Sequence, residues 1–205
     1  MKIYIQETPL YLCQKAEYLG LDLSDKKILV SKYTGKIKHL LNHIDLLEKN
    51  NKMNAVIIEY KDLEVLSGDF LNLFKVLSAA GALVSNELHE YLMIHRLGYW
   101  DLPKGKIEKG EAIIKAAKRE IEEETGAVQV RIEKYLLTTW HTYKIKKKRY
   151  LKKTFWFNAS APKQELTAQS EENIEKAIWT RFDEINVNEE PIYNNILDVI
   201  KASLD

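Results

Sequence analysis

The sequence has a single cysteine, Cys13, among its 205 residues, so an intramolecular disulfide is excluded and a reducing compartment is expected. No run approaches the roughly 20 apolar residues of a membrane span. The stretch MKIYIQETPLYLCQ is interrupted at Gln6, Glu7 and Pro9, unlike the continuous apolar segment of a signal peptide. A soluble, cytoplasmic protein without a membrane partner is therefore expected. Charge of one sign is also lacking. Thirty-one Lys and Arg face 30 Asp and Glu, for a net charge of +1, which excludes polyanion binding by bulk charge and directs attention to local clusters. There is no low-complexity segment, no internal repeat and no Pro/Ser-rich linker.

What is present suits a packed core: 45% of residues are hydrophobic and 10% aromatic. KIYI and KILV read as strands, IKHLLNHIDLLEK as an amphipathic helix and NAVIIEY as a buried strand. GDFLNLFKVLSAAG reads as a second helix closed by Gly81. Residues 1–80 thus form a small α/β accessory domain, followed over 81–205 by a second domain. In that second part ALVSNELHEYLMIHR reads as two strands around a polar turn, and residues 128–159 as further strands rich in Tyr, Trp, Thr, Ile and Val. KAIWTRF is a last strand, and PIYNNILDVIKASL a closing helix with Pro191 near its first turn.

Between these strands lies GKIEKGEAIIKAAKREIEEETGA, residues 105–127. Its helical register puts Glu120, Glu123 and Glu124 at i, i+3 and i+4, so three carboxylates converge on one face. Each like-charge pair at this spacing costs about 0.2–0.5 kcal/mol. A cation among them reverses the sign. Unit charges ~4 Å apart attract by about 4 kcal/mol at an effective dielectric near 20, and a dication by about twice that. Hard oxygen donors select Mg²⁺ or Mn²⁺, with substrate phosphates and water completing the shell. The alternative is a solvated acidic face on which Arg119 pairs with Glu123.

The spacing upstream separates the two. Gly105, five residues, Glu111, seven residues, then Arg119-Glu120-Ile121-x-Glu123-Glu124-x-Gly126-Ala127 resembles the Nudix box at every defined position. AAGALV, WDLPKGK and IEKAIW extend the resemblance over about residues 80–204. It implies an α/β/α sandwich with a mixed sheet, and a hydrolase that splits the pyrophosphate linkage of a nucleoside diphosphate joined to another group. Carried over by position, Glu120, Glu123 and Glu124 would ligate Mg²⁺ or Mn²⁺, with the Lys104 carbonyl as a further ligand. Glu120 is also a candidate base, although the family often draws that base from another loop, and Glu171, Glu172 and Glu175 in SEENIEK are the auxiliary candidates. Arg119 would orient the carboxylates. Gly105 would permit a tight loop, Gly126 would end the helix, and Glu111 would tie down the loop at the helix start. Ile114, Ala117 and Ile121 form the apolar stripe expected to face the sheet.

Substrate chemistry is read from the lysines. LPKGK resembles the branch of the family that cleaves dinucleoside polyphosphates or diphosphoinositol polyphosphates. Lys104 and Lys106 are candidate phosphate contacts. So are Lys146, Lys148 and Arg149 in YKIKKKRYLKK, which also holds Lys144 and Lys147; Trp140 is a candidate stacking surface, as are Tyr99 and Trp100. A lysine-armed strand edge is the competing account of the basic stretch. The expected partner is a phosphate-rich small molecule. A nucleic-acid partner and a homodimer stay open, as do two other functions: a non-catalytic nucleotide- or RNA-binding regulator, and an RNA 5′-pyrophosphohydrolase.

Overall fold

The computed structural model describes residues 1–49, 52–146, 148–186 and 189–204. They divide into two compact units, residues 1–77 with 140–152 and residues 78–139 with 153–205.

The first unit opens with β1 (Lys2–Ile5) and β2 (Thr8–Cys13), an antiparallel pair in the register Lys2↔Tyr11 to Ile5↔Thr8. Gln6 and Glu7 turn the chain with φ of 47° and 65°, the two positive values of a type I′ hairpin. That turn usually needs Asn or Gly, so β2 was not readable as a strand of its own. Pro9 is tolerated because it lies one residue ahead of the first partner pair with the next strand, Leu10↔Val56. β3 (Ile28–Lys32) and β4 (Ala55–Glu59) follow, both parallel to β2 in the spatial order β2-β4-β3. Helices α1 (Ile37–Lys49) and α2 (Leu63–Leu71) cover one face of this sheet. Leu40, Ile44, Leu47, Leu66 and Phe70 meet Ile3, Ile5, Leu10, Leu12, Val56 and Ile58 there. Asp62 caps α2 by accepting a hydrogen bond from the Val65 N–H at 3.1 Å.

The helix expected to run to Gly81 ends at Leu71, and Lys75–Ser85 is instead a long strand, β5. Gly81 is not a helix cap. A Cβ there would overlap Lys104 and the Pro103 carbonyl and lie 2.9 Å from Trp156, so glycine serves close packing within a sheet. Nothing local marks residues 140–152 for the first unit. They are the far halves of β9 (Arg131–Ile145) and β10 (Lys148–Ser160), and β9 meets β1 in parallel at Tyr4↔His141.

The second unit is a sheet with β6 (Tyr91–Arg96) between β5 and β11 (Ile174–Thr180), and β10 on the far side of β5. Short strands β7 (Tyr99–Asp101) and β8 (Lys104–Lys106) pair with β6 and β5. Period-two alternation divides its side chains between two cores. Ala80, Ala82, Val84, Leu92, Ile94 and Phe157 pack against helix α3 (Ile113–Thr125). Leu83, Met93 and Trp156 pack against α4 (Asn194–Leu204) on the other face. This is the α/β/α sandwich with a mixed sheet that the resemblance implies. Two details differ. The stripe of α3 facing the core is Ala116, Ala117 and Ile121, while Ile114 is exposed. Pro191 lies ahead of α4, where its carbonyl accepts the Trp100 N–H at 2.8 Å. Among the described residues, no helix is long and apolar enough to cross a membrane.

Candidate active site

Helix α3 stops where the sequence places its glycine. Gly126 takes φ 68°, a left-handed cap that costs glycine little, and its N–H donates to the Glu122 carbonyl at 2.9 Å. The other end is anchored by Glu111, two residues ahead of the helix. Its carboxylate accepts the Glu108 N–H at 2.9 Å and so ties down the loop.

Arg119 is the hub of the exposed side. Its Nε and Nη2 donate to the two oxygens of Glu111 at 2.8 and 2.9 Å, a fork-to-fork pair. Its Nη1 reaches Glu120 at 2.8 Å and Glu123 at 2.9 Å, and Nη2 also reaches the Lys106 carbonyl at 3.0 Å. The guanidinium holds the Glu111 carboxyl down at about 2, and Arg119 itself is held well above its ordinary range, chiefly by Glu111.

The geometry of β8 explains how the helix addresses the sheet. In an antiparallel ladder alternate residues turn their N–H and C=O to opposite edges. Ala82 N–H to Pro103 O and Ile107 N–H to Ser78 O mark the bonds facing β5. Lys104 and Lys106 therefore turn their amides and carbonyls toward α3. The Lys104 N–H accordingly donates to Glu124 Oε2 at 2.9 Å. Gly105 is not needed for a tight loop, contrary to expectation: it lies within β8, and a Cβ there would overlap the Glu120 carboxylate. The missing side chain is what lets Glu120 lie against the strand.

Glu124 is buried, with its side chain only 3% exposed, and burial pushes its carboxyl up to about 7 against the opposing pull of Lys104 and Arg96. Arg96 Nη1 stands 4.0 Å from Glu124, and Nη2 3.4 Å from Glu172. His95 Nδ1 meets Glu175 at 2.9 Å. Two of the three SEENIEK glutamates are thus engaged by the last two residues of β6. Arg96 and Asp101 carry no spacing signal, because their partners lie far away in sequence or depend on a turn. Asp101 Oδ2 accepts the Lys104 ammonium at 2.6 Å with both side chains 6% exposed. Lys104 thus contributes backbone to this edge, and its charge is already matched.

Among the described residues, no three His, Cys, Asp or Glu side chains form a ready-made metal cage. The donor set is nonetheless all oxygen: Glu120 and Glu124 flank β8, and the Lys104 carbonyl lies on the same edge. Two carboxylates and a carbonyl suit a hard dication that keeps several waters. Glu123 is half-exposed and sits on Arg119 instead.

Trp140, Lys146, Lys148 and Arg149 belong to the first unit. Trp140 packs against its core, and Lys146 and Lys148 are exposed. Arg149 is held by Glu48 at 2.6 and 2.9 Å and by Asp45, and Lys144 donates to Glu48 at 2.7 Å. Lys147 lies outside the described residues. Tyr99 stacks on Tyr193 with ring centroids 4.3 Å apart, and Trp100 is buried.

The family model for the NUDIX domain matches residues 75–201. Among solved structures, a MutT protein from Methanosarcina mazei Go1 is similar at a TM-score of 0.51 and 19% identity, covering 62% of this chain and 92% of that one. A MutT NUDIX hydrolase from Burkholderia pseudomallei is similar at 0.50 and 22% identity, covering 62% and 98%. At these identities the likeness speaks to the fold alone.

Proposed function

The chain belongs to the Nudix family, a family of pyrophosphohydrolases, and from that premise we propose that it hydrolyses a pyrophosphate linkage in a nucleoside diphosphate-X type compound, with Mg²⁺ or Mn²⁺ held along the edge between α3 and β8. The observation that carries this reading is the pair of carboxylates on β8: Glu120 against Gly105, and Glu124 on the Lys104 N–H. Glu120, Glu124 and the Lys104 carbonyl would hold the cation, with Glu123 joining when it leaves Arg119.

When bound, such a cation neutralises charge on the phosphoryl oxygens and makes a coordinated water easier to deprotonate. The chain's own groups do the rest. Arg119 fixes the rotamers of Glu120 and Glu123 and braces the loop through Glu111 and the Lys106 carbonyl. Burial keeps Glu124 away from bulk water, so it is a poor carboxylate until a cation arrives. Glu120 is the proposed proton acceptor, since its carboxylate lies against Gly105 on the edge of β8 where the cation would sit.

The proposed substrate is a dinucleoside polyphosphate or a diphosphoinositol polyphosphate. Lys106 and Lys109 are exposed at the start of the box and fit such a phosphate-rich compound, whereas the Lys104 ammonium is committed to Asp101. An RNA-binding role gains less support, because Lys144 and Arg149 in the basic stretch are already paired with Glu48 and Asp45. Phosphate release from diadenosine tetraphosphate, a diphosphoinositol polyphosphate, a nucleotide sugar and 5′-triphosphate RNA, with and without Mg²⁺, tests the reading. Turnover of one of the first two that needs the cation supports it. No cation-dependent turnover of any of the four would overturn it.

A further inference from the structure

The first unit contains a cavity of about 690 Å³, none of whose residues belongs to the edge between α3 and β8. Its position follows from topology. β2, β4 and β3 are parallel, so Cys13, Glu59 and Lys32 end them on one side of the sheet. The chain leaving β2 turns through Ala16–Leu19 onto the face that carries Ile57 and Ile28. The chain leaving neighbouring β4 turns into α2, on the opposite face with Val56 and Ile58. Adjacent strands whose connections part to opposite faces leave a crevice at their carboxyl ends, where open α/β sheets take their ligands.

The lining supplies charge and rings together. Lys15, Lys32 and Lys61 come from the ends of the three strands, accompanied by Tyr18, Tyr33 and Tyr60. Among the described residues, none of these three ammonium groups is in an ion pair; Lys15 has only the Tyr18 ring, 5.8 Å away. Two carboxylates share the cavity, Glu17 and Glu59, and Glu59 is occupied in accepting the Ala16 N–H at 2.5 Å. Tyr33 is buried and donates to Asp69 at 2.7 Å, and the Tyr60 ring meets it edge-on at 5.2 Å, making a fixed wall. Tyr18 is the opposite case: the residue is 72% exposed, and among the described residues its ring is faced by the Lys15 ammonium.

We propose that this crevice is a second ligand site, one that binds a nucleoside phosphate with its phosphate on Lys15, Lys32 and Lys61 and its base against Tyr18. The volume favours such a molecule over bare phosphate, since cavities of about 300–1,000 Å³ accept small organic ligands. The ring beside the cations favours a base over an aliphatic anion. The site is independent of the hydrolytic reading and stands or falls separately.

The test uses the full chain carrying Glu120→Gln, to suppress turnover, in the presence of a chelator. Calorimetric titrations with AMP, GMP, UMP, adenosine, inorganic phosphate and a short single-stranded RNA are compared. At least one mononucleotide is expected to saturate, with adenosine and phosphate each about tenfold weaker or worse. Adding Tyr18→Ala should weaken that nucleotide by about tenfold, in the range of one lost base–aromatic stack. The pair Lys32→Ala and Lys61→Ala should weaken it at least as much, with melting temperatures unchanged, since all three side chains are exposed. Absence of saturation by every mononucleotide would overturn the proposal, as would binding indifferent to both sets of substitutions. RNA bound more than tenfold tighter than any mononucleotide, and lost in the same variants, would replace it with a nucleic-acid site.

Discussion

The Glu120 carboxylate lies in the space that a Cβ on residue 105 would require. Two positions fifteen apart in the chain are therefore a single steric unit, and the glycine is selected by the glutamate's reach rather than by a turn. Gly105→Ala should displace Glu120 from β8 while leaving the ladder to β5 in place. A shift of about 1 Å in a positioned catalytic group can cost about 100-fold. Steady-state kinetics on the best substrate of the panel should show a fall in kcat of that order. A rate near that of the parent would mean that Glu120 works from some other position.

Arg119 spans acceptors on Glu111, Glu120, Glu123 and the Lys106 carbonyl. Lysine keeps the charge but lacks the planar fork. Arg119→Lys is expected to lower kcat/KM by about 10–100-fold, as loss of an outer-shell partner commonly does, and added Mg²⁺ should recover part of it. Equal kinetics in the two proteins would reduce the guanidinium to a surface ion pair.

The same pair sets a pH dependence. The Glu111 carboxyl is depressed from about 4.5 to about 2 by Arg119, so its contribution to stability is present above the higher value and is lost as pH falls toward the lower. Glu111→Gln should therefore melt below the parent near neutrality. The gap should narrow as pH drops below about 4.5 and close near 2. A gap that is constant across this window would assign the loss to packing instead.

Asp101 and Lys104 form a buried ion pair at 2.6 Å. Asp101→Ala strands an ammonium in the core and should cost about 3–5 kcal/mol in urea unfolding, whereas Asp101→Leu combined with Lys104→Met should recover most of it. If the single variant loses less than about 1 kcal/mol, the pair is better hydrated than its burial indicates.

Much of the α3 region could be read directly from residue order. The helix, its Gly126 cap and the Glu111 brace on the loop are local consequences of residue order, whereas Glu123 turns to Arg119 and leaves Glu120 and Glu124 on β8. Other features depend on partners distant in sequence. KVLSAAG has helix-compatible residues but is held extended by β8 and by Trp156 packing on Gly81. The Gln6-Glu7 turn lacks the glycine signal of its type, which hid β2. Arg96 matters only because folding brings Glu124 and Glu172 to either side of it. The fate of Arg149 is set by Glu48, 101 residues away.

Direct measurement of cation uptake decides whether Glu120 and Glu124 hold a metal ion. Mn²⁺ binding is followed by electron paramagnetic resonance in the parent and in Glu120→Gln/Glu124→Gln, with turnover measured on the same samples. The parent should take up Mn²⁺ saturably and lose turnover in chelator, while the double variant keeps its fold, binds at least tenfold more weakly and turns over almost nothing. Equal Mn²⁺ uptake by the two proteins, or turnover in the double variant at the parent's rate, would contradict a metal site on these glutamates.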